Sequence, residues 1–307
     1  MMIRIPAELA HTLVTVLDEG TLDGAARRLH VTPSAISQRI KALEEILGRV
    51  LLVRTKPVQA TEAAHPVVRY ARQLALLEAD AARALGDDAE PVRMPLAVNA
   101  DSLSTWFLPP LARLAERHPV VFDLHRDDQD FTAALLESGT VTGAVTSRAH
   151  PVAGCRVVPL GELVYEAVAT PAFRDRWLDT AASDAAARLR DAPLIDFDRR
   201  DDLQTRWLRA RGIDPAAPPR HRVPASHDFA TAVQLGLGWA LLPRLQSQQA
   251  LDDGTLVALE GEPVRVPLYW QQWNLRSEML DAVAEELVAE GRRVLAPADP
   301  SGRISNR

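Results

Sequence analysis

Two short apolar stripes at helical spacing, separated by a turn of three residues, occupy residues 22–47. The members of the stripes are Leu22, Ala25, Ala26 and Leu29 in the first, and Ile36, Ile40, Leu43 and Leu47 in the second. Thr32 is a favourable N-cap for the second helix, Pro33 suits its first position, and Gly48 can end it. Ala26 is small enough to let two helices meet at a steep angle. We therefore predict a helix-turn-helix.

A local excess of positive charge accompanies this segment, although the formal net charge of the 307-residue chain is -6. Seven basic and two acidic residues lie between Arg27 and Lys56, which leaves a surplus of five positive charges. The apolar segments 50–53 and 58–60 flank Arg54-Thr55-Lys56-Pro57, a pattern typical of a hairpin. Such a contrast between local and global charge is the electrostatic pattern of phosphate binding.

We predict that the helix beginning at Pro33 enters the major groove of DNA and that the hairpin is a wing. Gln38 can bond adenine through two hydrogen bonds, and Arg39 can bond guanine or a phosphate. The complete predicted set of DNA contacts is Arg27, Thr32, Pro33, Ser34, Ser37, Gln38, Arg39, Lys41, Arg54 and Lys56. The alternative is a three-helix bundle with a solvated basic face.

A long helix and then an alternating pattern follow the basic segment. From Thr61 to about Asp88 one apolar seam recurs every three or four residues, as in helices that pack against a partner. From Val92 onward, strand-like and helix-like segments alternate, which implies an α/β fold with a parallel sheet. The predicted strands are 94–99, 120–125, 141–147, 163–169, 194–197, 239–242 and 266–273. The predicted helices are 104–117, 129–138, 184–190, 202–211 and 276–295, and the segment 228–237 precedes the strand 239–242.

Polar residues follow three of these strands, and ligands bind at the carboxyl ends of parallel strands. Four nearby aspartates would repel one another unless a cation joined them. A basic amino acid fits this pattern, with its carboxylate at a helix N-terminus and its cation at the aspartates. The predicted effector contacts are Asn99, Asp101, Ser102, Thr105, Asp127, Asp128, Asp130, Thr146, Asp196 and Asp228. The alternative is that several aspartates only cap helices or solvate loops.

Composition and motifs narrow the class of protein. The single cysteine, Cys155, allows no internal disulfide, and no run of apolar residues is long enough for a membrane helix. The N-terminal residues do not form a signal peptide. We therefore expect a cytoplasmic protein without a membrane contact. The sequence has no nucleophile elbow, P-loop or His/Cys metal spacing, so we expect no enzyme activity and no cofactor other than a small-molecule effector.

The segment AARRLHVTPSAISQRIKALEEILG resembles the signature of the LysR-type transcriptional regulators. The segments AVNADSLSTWFLP, DDQD, GAVTSRAHPVAGCRVVPLGE and PLYWQQW resemble the lysine- and arginine-responsive branch of that family. Phe131 stands where histidine is expected in this branch, and Arg126-Asp127 replaces a more acidic pair. The resemblance implies a regulator whose promoter binding responds to lysine or arginine and which controls amino acid export.

The resemblance also implies the domain organisation. The implied domains are a winged helix-turn-helix at 1–62, a linker and dimerisation helix with a hinge at 63–91, an effector domain at 92–297 and a disordered tail at 298–307. The effector domain would resemble a periplasmic binding protein, with half-domain I at about 92–162 and 266–297 and half-domain II at about 163–265. The implied partners are double-stranded promoter DNA, a second copy in a dimer or tetramer, and RNA polymerase. A LysR-type regulator with another effector and pathway, or a solute-binding protein, are the alternatives.

Overall fold

The computed structural model describes residues 4–86, 91–126, 132–178 and 188–297, and these residues form two compact units. The first unit is drawn from Met1–Val98, Leu111–Val158 and Trp270–Leu287, and the second from Asn99–Pro110, Pro159–Tyr269 and Val288–Arg307. No helix within the described ranges combines the length and the apolar character that a membrane span requires.

The first unit begins with a compact group of three helices: α1 (Ala7–Glu19), α2 (Leu22–Arg28) and α3 (Pro33–Leu47). The hydroxyl of Thr32 accepts a hydrogen bond from the N–H of Ala35 and so caps α3, and Gly48 ends the helix with a φ of 65°. Leu13, Ile36 and Leu43 are completely buried where the three helices meet. The predicted helix-turn-helix is confirmed, because its caps and its apolar stripes are local signals.

The predicted hairpin follows α3, with short antiparallel strands β1 (Leu52–Val53) and β2 (Gln59–Ala60). The N–H of Leu51 donates to the Glu44 carboxylate of α3 at 2.8 Å. This bond fixes the start of the hairpin against the C-terminal part of α3. The fold of the N-terminal segment is therefore a winged helix-turn-helix.

The long helix α4 (His65–Ala84) has 20 residues and is shorter than predicted. Residues Glu62–Ala64 form a separate 3-10 turn instead of the first turn of the helix. Pro66 explains the difference, because proline has no N–H to donate and is tolerated only in the first turn. An ion pair of 2.5 Å between Arg72 and Asp18 joins α4 to α1. Residues 87–90, at the end of the predicted helix, lie outside the described residues.

Three parallel strands form the sheet of the first unit: β3 (Val92–Val98), β4 (Val120–Arg126) and β5 (Gly143–Thr146). β3 lies between the other two, with Val98 opposite Arg126 and Leu96 opposite Gly143. The carboxyl ends of the three strands therefore lie at one edge of the sheet. The short helix α7 (Thr132–Glu137) packs against β5.

The predicted helix 104–117 is wrong, because the chain forms two helices there: α5 (Ala100–Thr105) and α6 (Leu108–Arg117). Pro109 and Pro110 account for the break. Proline lacks the N–H of an interior helical residue and disfavours helical geometry in the residue before it, so a new helix has to begin close to this pair. Helix α5 starts earlier than predicted because Asn99 caps it.

The second unit is built around the long strand β6 (Cys155–Ala169), which pairs antiparallel with β9 (Ala240–Pro243) and β10 (Val257–Ala258). A separate parallel pair consists of β7 (Leu194–Asp196) and β8 (Arg220–Arg222). The helices of this unit are α8 (Pro171–Trp177), α9 (Leu203–Arg209), α10 (Ser226–Gln234) and α11 (Arg244–Asp252). The sequence analysis did not predict α8, α11, β8 and β10. Most of the predicted helix 184–190 lies outside the described residues.

Three elements are divided between the two units. β6, β11 (Val264–Trp273) and α12 (Glu278–Val294) contribute residues to both units. The positions of β11 and α12 agree with the predicted strand 266–273 and helix 276–295. Trp270 and Trp273 of β11 are completely buried. The α/β class predicted for residues after Val92 is confirmed. The predicted parallel arrangement holds for β3, β4 and β5 but is wrong for β6, which pairs antiparallel with β9 and β10, because the alternation of segments does not fix the direction of a strand.

Gly143 provides a test of the packing in the first unit. A Cβ atom at Gly143 would overlap the ring of the completely buried Trp270. We expect Gly143→Ala to lower the free energy of unfolding by about 3 kcal/mol, because overpacking a dense core forces the backbone to shift. Urea unfolding followed by circular dichroism measures this change. In a Trp270→Leu background the same substitution should cost less than about 1 kcal/mol, and an equal cost in both backgrounds would contradict this account.

Candidate functional site

The solvent-exposed face of α3 carries most of the predicted DNA contacts. Six of these predicted contacts, at the N-cap and along the helix, are exposed: Thr32, Pro33, Ser34, Ser37, Gln38 and Lys41. Residues 34, 37, 38 and 41 follow the spacing of one helical face, whereas Ile36 and Ile40 are buried on the opposite face. Thr32 and Pro33 begin the helix, so the free N–H groups of its first turn lie beside these hydroxyls. This face can bond base edges and phosphates.

Arg39 differs from its neighbours on α3 because it has intramolecular partners. Its Nη2 atom lies 2.7 Å from a carboxylate oxygen of Glu8 on α1, and its Nη1 atom donates to the Thr12 hydroxyl at 3.5 Å. The Arg39 side chain is only 29% exposed. The side chain of Arg39, a predicted DNA contact, therefore links α3 to α1 in this structure.

Three other predicted contacts surround α3 and are exposed. Arg27 lies in the last turn of α2, and Arg54 and Lys56 lie in the turn between β1 and β2. Within the described ranges, none of these three cations has an acidic partner, whereas the exposed Lys41 lies 3.7 Å from Glu45. Exposed cations on elements next to the helix that enters a groove can contact the phosphates that flank the groove.

The second candidate site lies in the second unit, around Asp101 in the first turn of α5. Asn99 caps this helix by accepting the N–H of Ser102 at 2.8 Å. One carboxylate oxygen of Asp101 accepts from the hydroxyl of Tyr165 at 2.8 Å, and the other accepts from the hydroxyl of Ser226 at 2.8 Å. Burial raises the pKa of the Asp101 carboxyl, and the two hydroxyl donors oppose that shift.

A second carboxylate, that of Asp201, belongs to the same electrostatic environment. It accepts hydrogen bonds of 3.0 Å from the N–H groups of Phe197 and Leu203. Burial raises the pKa of Asp201, and the negative charges of Asp196 and Asp101 raise it further. Repulsion among these carboxylates thus adds to the cost of desolvating them.

The third carboxylate of this group is already paired, since Asp196 is buried and lies 2.6 Å from Arg220. One Asp196 oxygen is nevertheless without a hydrogen-bond partner among the described residues. Within the same ranges, no Lys, Arg or His forms an ion pair with Asp101 or Asp201. No group of His, Cys, Asp and Glu there is arranged to hold a metal ion. An organic cation fits this site better than a metal.

The remaining predicted effector contacts are distributed over both units. Ser102 is completely buried, and its hydroxyl has no partner in the described part of the chain. Thr105 donates to the backbone oxygen of Asp101, and Asp228 is exposed on α10. Thr146 is buried at the end of β5 in the first unit. Asp127, Asp128 and Asp130 lie outside the described residues.

Three residues of this site were not predicted from the sequence: Tyr165, Asp201 and Ser226. Tyr165 lies in an apolar strand, where its sequence context suggests only a core residue. Ser226 lies two residues before the predicted Asp228 and begins the helix α10. Asp201 follows the predicted strand 194–197, and an acidic residue after a strand is the signal that was available for it.

Both parts of the chain match known protein families. Residues 8–65 match the family described as "Bacterial regulatory helix-turn-helix protein, lysR family", and residues 92–293 match the "LysR substrate binding domain". The Lysine export transcriptional regulatory protein LysG of Corynebacterium efficiens is 42% identical over 283 residues, which cover 92% of this chain and 96% of that protein.

Two solved structures are similar over almost the whole chain. The first is full-length LysG from Corynebacterium glutamicum with bound effector arginine, with 39% identity, a TM-score of 0.74, and coverage of 95% of this chain and 100% of that one. The second is ArgP from Mycobacterium tuberculosis, with 40% identity, a TM-score of 0.82, and coverage of 95% and 98%. On these matches and on its winged helix-turn-helix, the chain belongs to the LysR family of bacterial transcriptional regulators.

Proposed function

We propose that this regulator binds promoter DNA through α3 and the wing, and that its effector is a basic amino acid, arginine or lysine. The observation that carries the proposal is the desolvated carboxylate of Asp101, which lies near Asp201 and has no cationic partner among the described residues. The relatives support it, because the C. glutamicum LysG structure contains arginine and the C. efficiens LysG is named for lysine export. We extend the proposal to control of amino acid export.

The chemistry of a basic amino acid suits this site. A carboxylate removed from water is costly unless a cation or several donors compensate it. A guanidinium offers five N–H donors, and each oxygen of the Asp101 and Asp201 carboxylates keeps a lone pair beyond the one hydrogen bond it already accepts. The Ser102 hydroxyl is completely buried, so its contact with the effector stays a prediction from the sequence.

The proposal includes a dimer formed through α4. Tyr70, Leu77 and Leu85 of this segment are exposed apolar residues, with Leu85 87% exposed. A groove of about 210 Å³ between α1 and α4 is lined by Ala71 and Leu74, among others. A second α4 would cover this surface. We propose that the dimer works in the cytoplasm, where it meets promoter DNA and RNA polymerase.

Stability should depend on pH through Asp101. Because burial raises its pKa, the folded chain holds this proton more tightly than the unfolded chain, so this contribution is present at low pH and is lost as the pH rises through the raised pKa. Asp101→Asn removes the desolvated charge. We expect the difference in melting temperature between Asp101→Asn and wild type, variant minus wild type, to be more positive at about pH 7.5 than at about pH 4. A difference that does not change with pH would contradict the assignment.

Effector binding tests the proposed function directly. Arginine and lysine should raise the melting temperature of the full-length chain by binding only the folded state. Citrulline has the length of arginine without its charge and should have little effect. Asp101→Asn should weaken arginine binding about 10-fold or more, because a hydrogen bond to a charged group contributes about 1.5–3 kcal/mol.

A matched control is Asp191→Asn, which removes an exposed carboxylate in the same unit. It should leave arginine affinity unchanged. Citrulline binding as tightly as arginine, or equal arginine affinities in wild type and Asp101→Asn, would contradict a cation site at Asp101.

DNA recognition should separate into base contacts and phosphate contacts. Gln38→Ala should lose about 1–3 kcal/mol of discrimination between the gene's own upstream region and a scrambled fragment. Lys56→Ala should weaken binding to both fragments equally and reduce the salt slope by about one. Fluorescence anisotropy at several salt concentrations measures both effects. An equal loss on both fragments for Gln38→Ala would make that residue a phosphate contact instead.

A further inference from the structure

Arg69 of α4 is held in a socket formed by the α/β part of the first unit. Its Nη1 atom donates to the carbonyl oxygen of Ala153 at 3.0 Å, and its Nη2 atom donates to that of Gly154 at 2.9 Å. The guanidinium carbon lies 5.7 Å from the ring centroid of Trp273, within the range of a cation–π contact. One side chain of the helix that carries the DNA-binding domain is thus bound by backbone and aromatic groups of the effector domain.

Two glycines make this close approach possible. A Cβ atom at Gly139 would lie 2.8 Å from the backbone nitrogen of Arg69, and one at Gly154 would lie 2.6 Å from its Nη2 atom. Both glycines also have positive φ values, of 76° and 72°. At its other end, α4 is tied to the same unit by the Asp80 carboxylate, which accepts the N–H of Glu278 at 3.1 Å.

The loop 147–154 connects the socket to the end of β5. At one end, the Thr146 hydroxyl accepts the N–H of Arg148 at 3.1 Å. Gln271, which is 1% exposed, donates to the carbonyl oxygens of Arg148 and His150 and accepts the N–H of Val152. Because its backbone groups are bonded to one buried side chain, the loop cannot easily absorb a displacement of Thr146. Such a displacement would reach the carbonyl groups that hold Arg69.

We propose that Arg69 is a positioning residue that couples effector binding to DNA binding through the loop 147–154. The inference rests on the proposed function and on the sequence prediction that Thr146 contacts the effector. A displacement of Thr146 would move the carbonyl groups that bind Arg69, and this would change the position of α4. The ion pair between Arg72 and Asp18 joins α4 to the DNA-binding helices. Because coupling between two sites is reciprocal, DNA binding must also change the loop 147–154.

The test measures the coupling separately from each binding event. Arg69→Gln removes the charge and the paired donors of the guanidinium. In wild type, arginine should change the dissociation constant for upstream DNA about 5-fold or more, as is usual for allosteric coupling. In Arg69→Gln this ratio should fall to within about 2-fold of one, while arginine affinity without DNA and DNA affinity without arginine each stay within about 3-fold. An unchanged ratio in the variant overturns the inference.

A pair of glycine variants controls for loss of folding. Gly154→Ala pushes on the Arg69 guanidinium, whereas Gly254→Ala introduces a methyl group at a φ of 76° with no atom within 4 Å. Both variants carry a similar backbone strain. Coupling should be lost in Gly154→Ala and kept in Gly254→Ala, and equal coupling in the two variants contradicts the role of the socket.

A last readout needs no effector and separates the two hypotheses. Binding of upstream DNA should change amide hydrogen exchange in residues 147–155 of wild type about 2-fold or more, and this change should vanish in Arg69→Gln. An equal change in both proteins, or none in wild type, overturns the inference. Failure of arginine to bind wild type contradicts the proposed function instead, and the exchange experiment then still decides the role of Arg69.

Discussion

The carboxylate of Asp101 lies where water reaches it poorly, near a second desolvated carboxylate, and no described cation forms an ion pair with it. Among the described residues, its side-chain partners are two hydroxyl groups, those of Tyr165 and Ser226. Such an arrangement costs folding free energy at neutral pH, because a buried charge is tolerated only when it is compensated. We propose that the protein retains this cost because the site takes a ligand that brings the missing positive charge. The proposed effector and its preference for basic amino acids depend on this one constraint.

The two proposed ligand sites of the chain follow the same rule with opposite signs. Around α3, exposed cations such as Arg54 and Lys56 have no acidic partner among the described residues, and phosphates would supply the negative charge. Around α5, Asp101 and Asp201 form no ion pair among the described residues, although Asp196 is paired with Arg220. By contrast, three arginines that connect parts of the fold have partners within the chain: Arg39 pairs with Glu8, Arg72 with Asp18, and Arg69 with backbone carbonyl groups. We propose that phosphates compensate the cations around α3 and that the effector compensates Asp101 and Asp201.

The sequence predicted the N-terminal fold well because its signals are local: Thr32 and Pro33 begin α3, Gly48 ends it, and the apolar period gives its buried face. Arg39 shows the limit of that reasoning, since a long side chain can reach back to another helix, and spacing alone does not reveal Glu8 as its partner. Tyr165 was missed for a similar reason, because its contact with Asp101 spans 64 residues of sequence. The merged helix 104–117 was an avoidable error that Pro109 and Pro110 already signalled. The effector roles of Asp127, Asp128 and Asp130 stay predictions.

The most direct measurement of the central claim is the number of protons exchanged when arginine binds the full-length chain. Titration calorimetry at about pH 5.5, in buffers of different ionisation enthalpy, gives this number. A guanidinium that settles against Asp101 favours the ionised carboxylate and lowers its raised pKa, so binding should release protons. The release should disappear in the Asp101→Asn variant. Arginine binding with no proton release, or with proton uptake, would contradict the account.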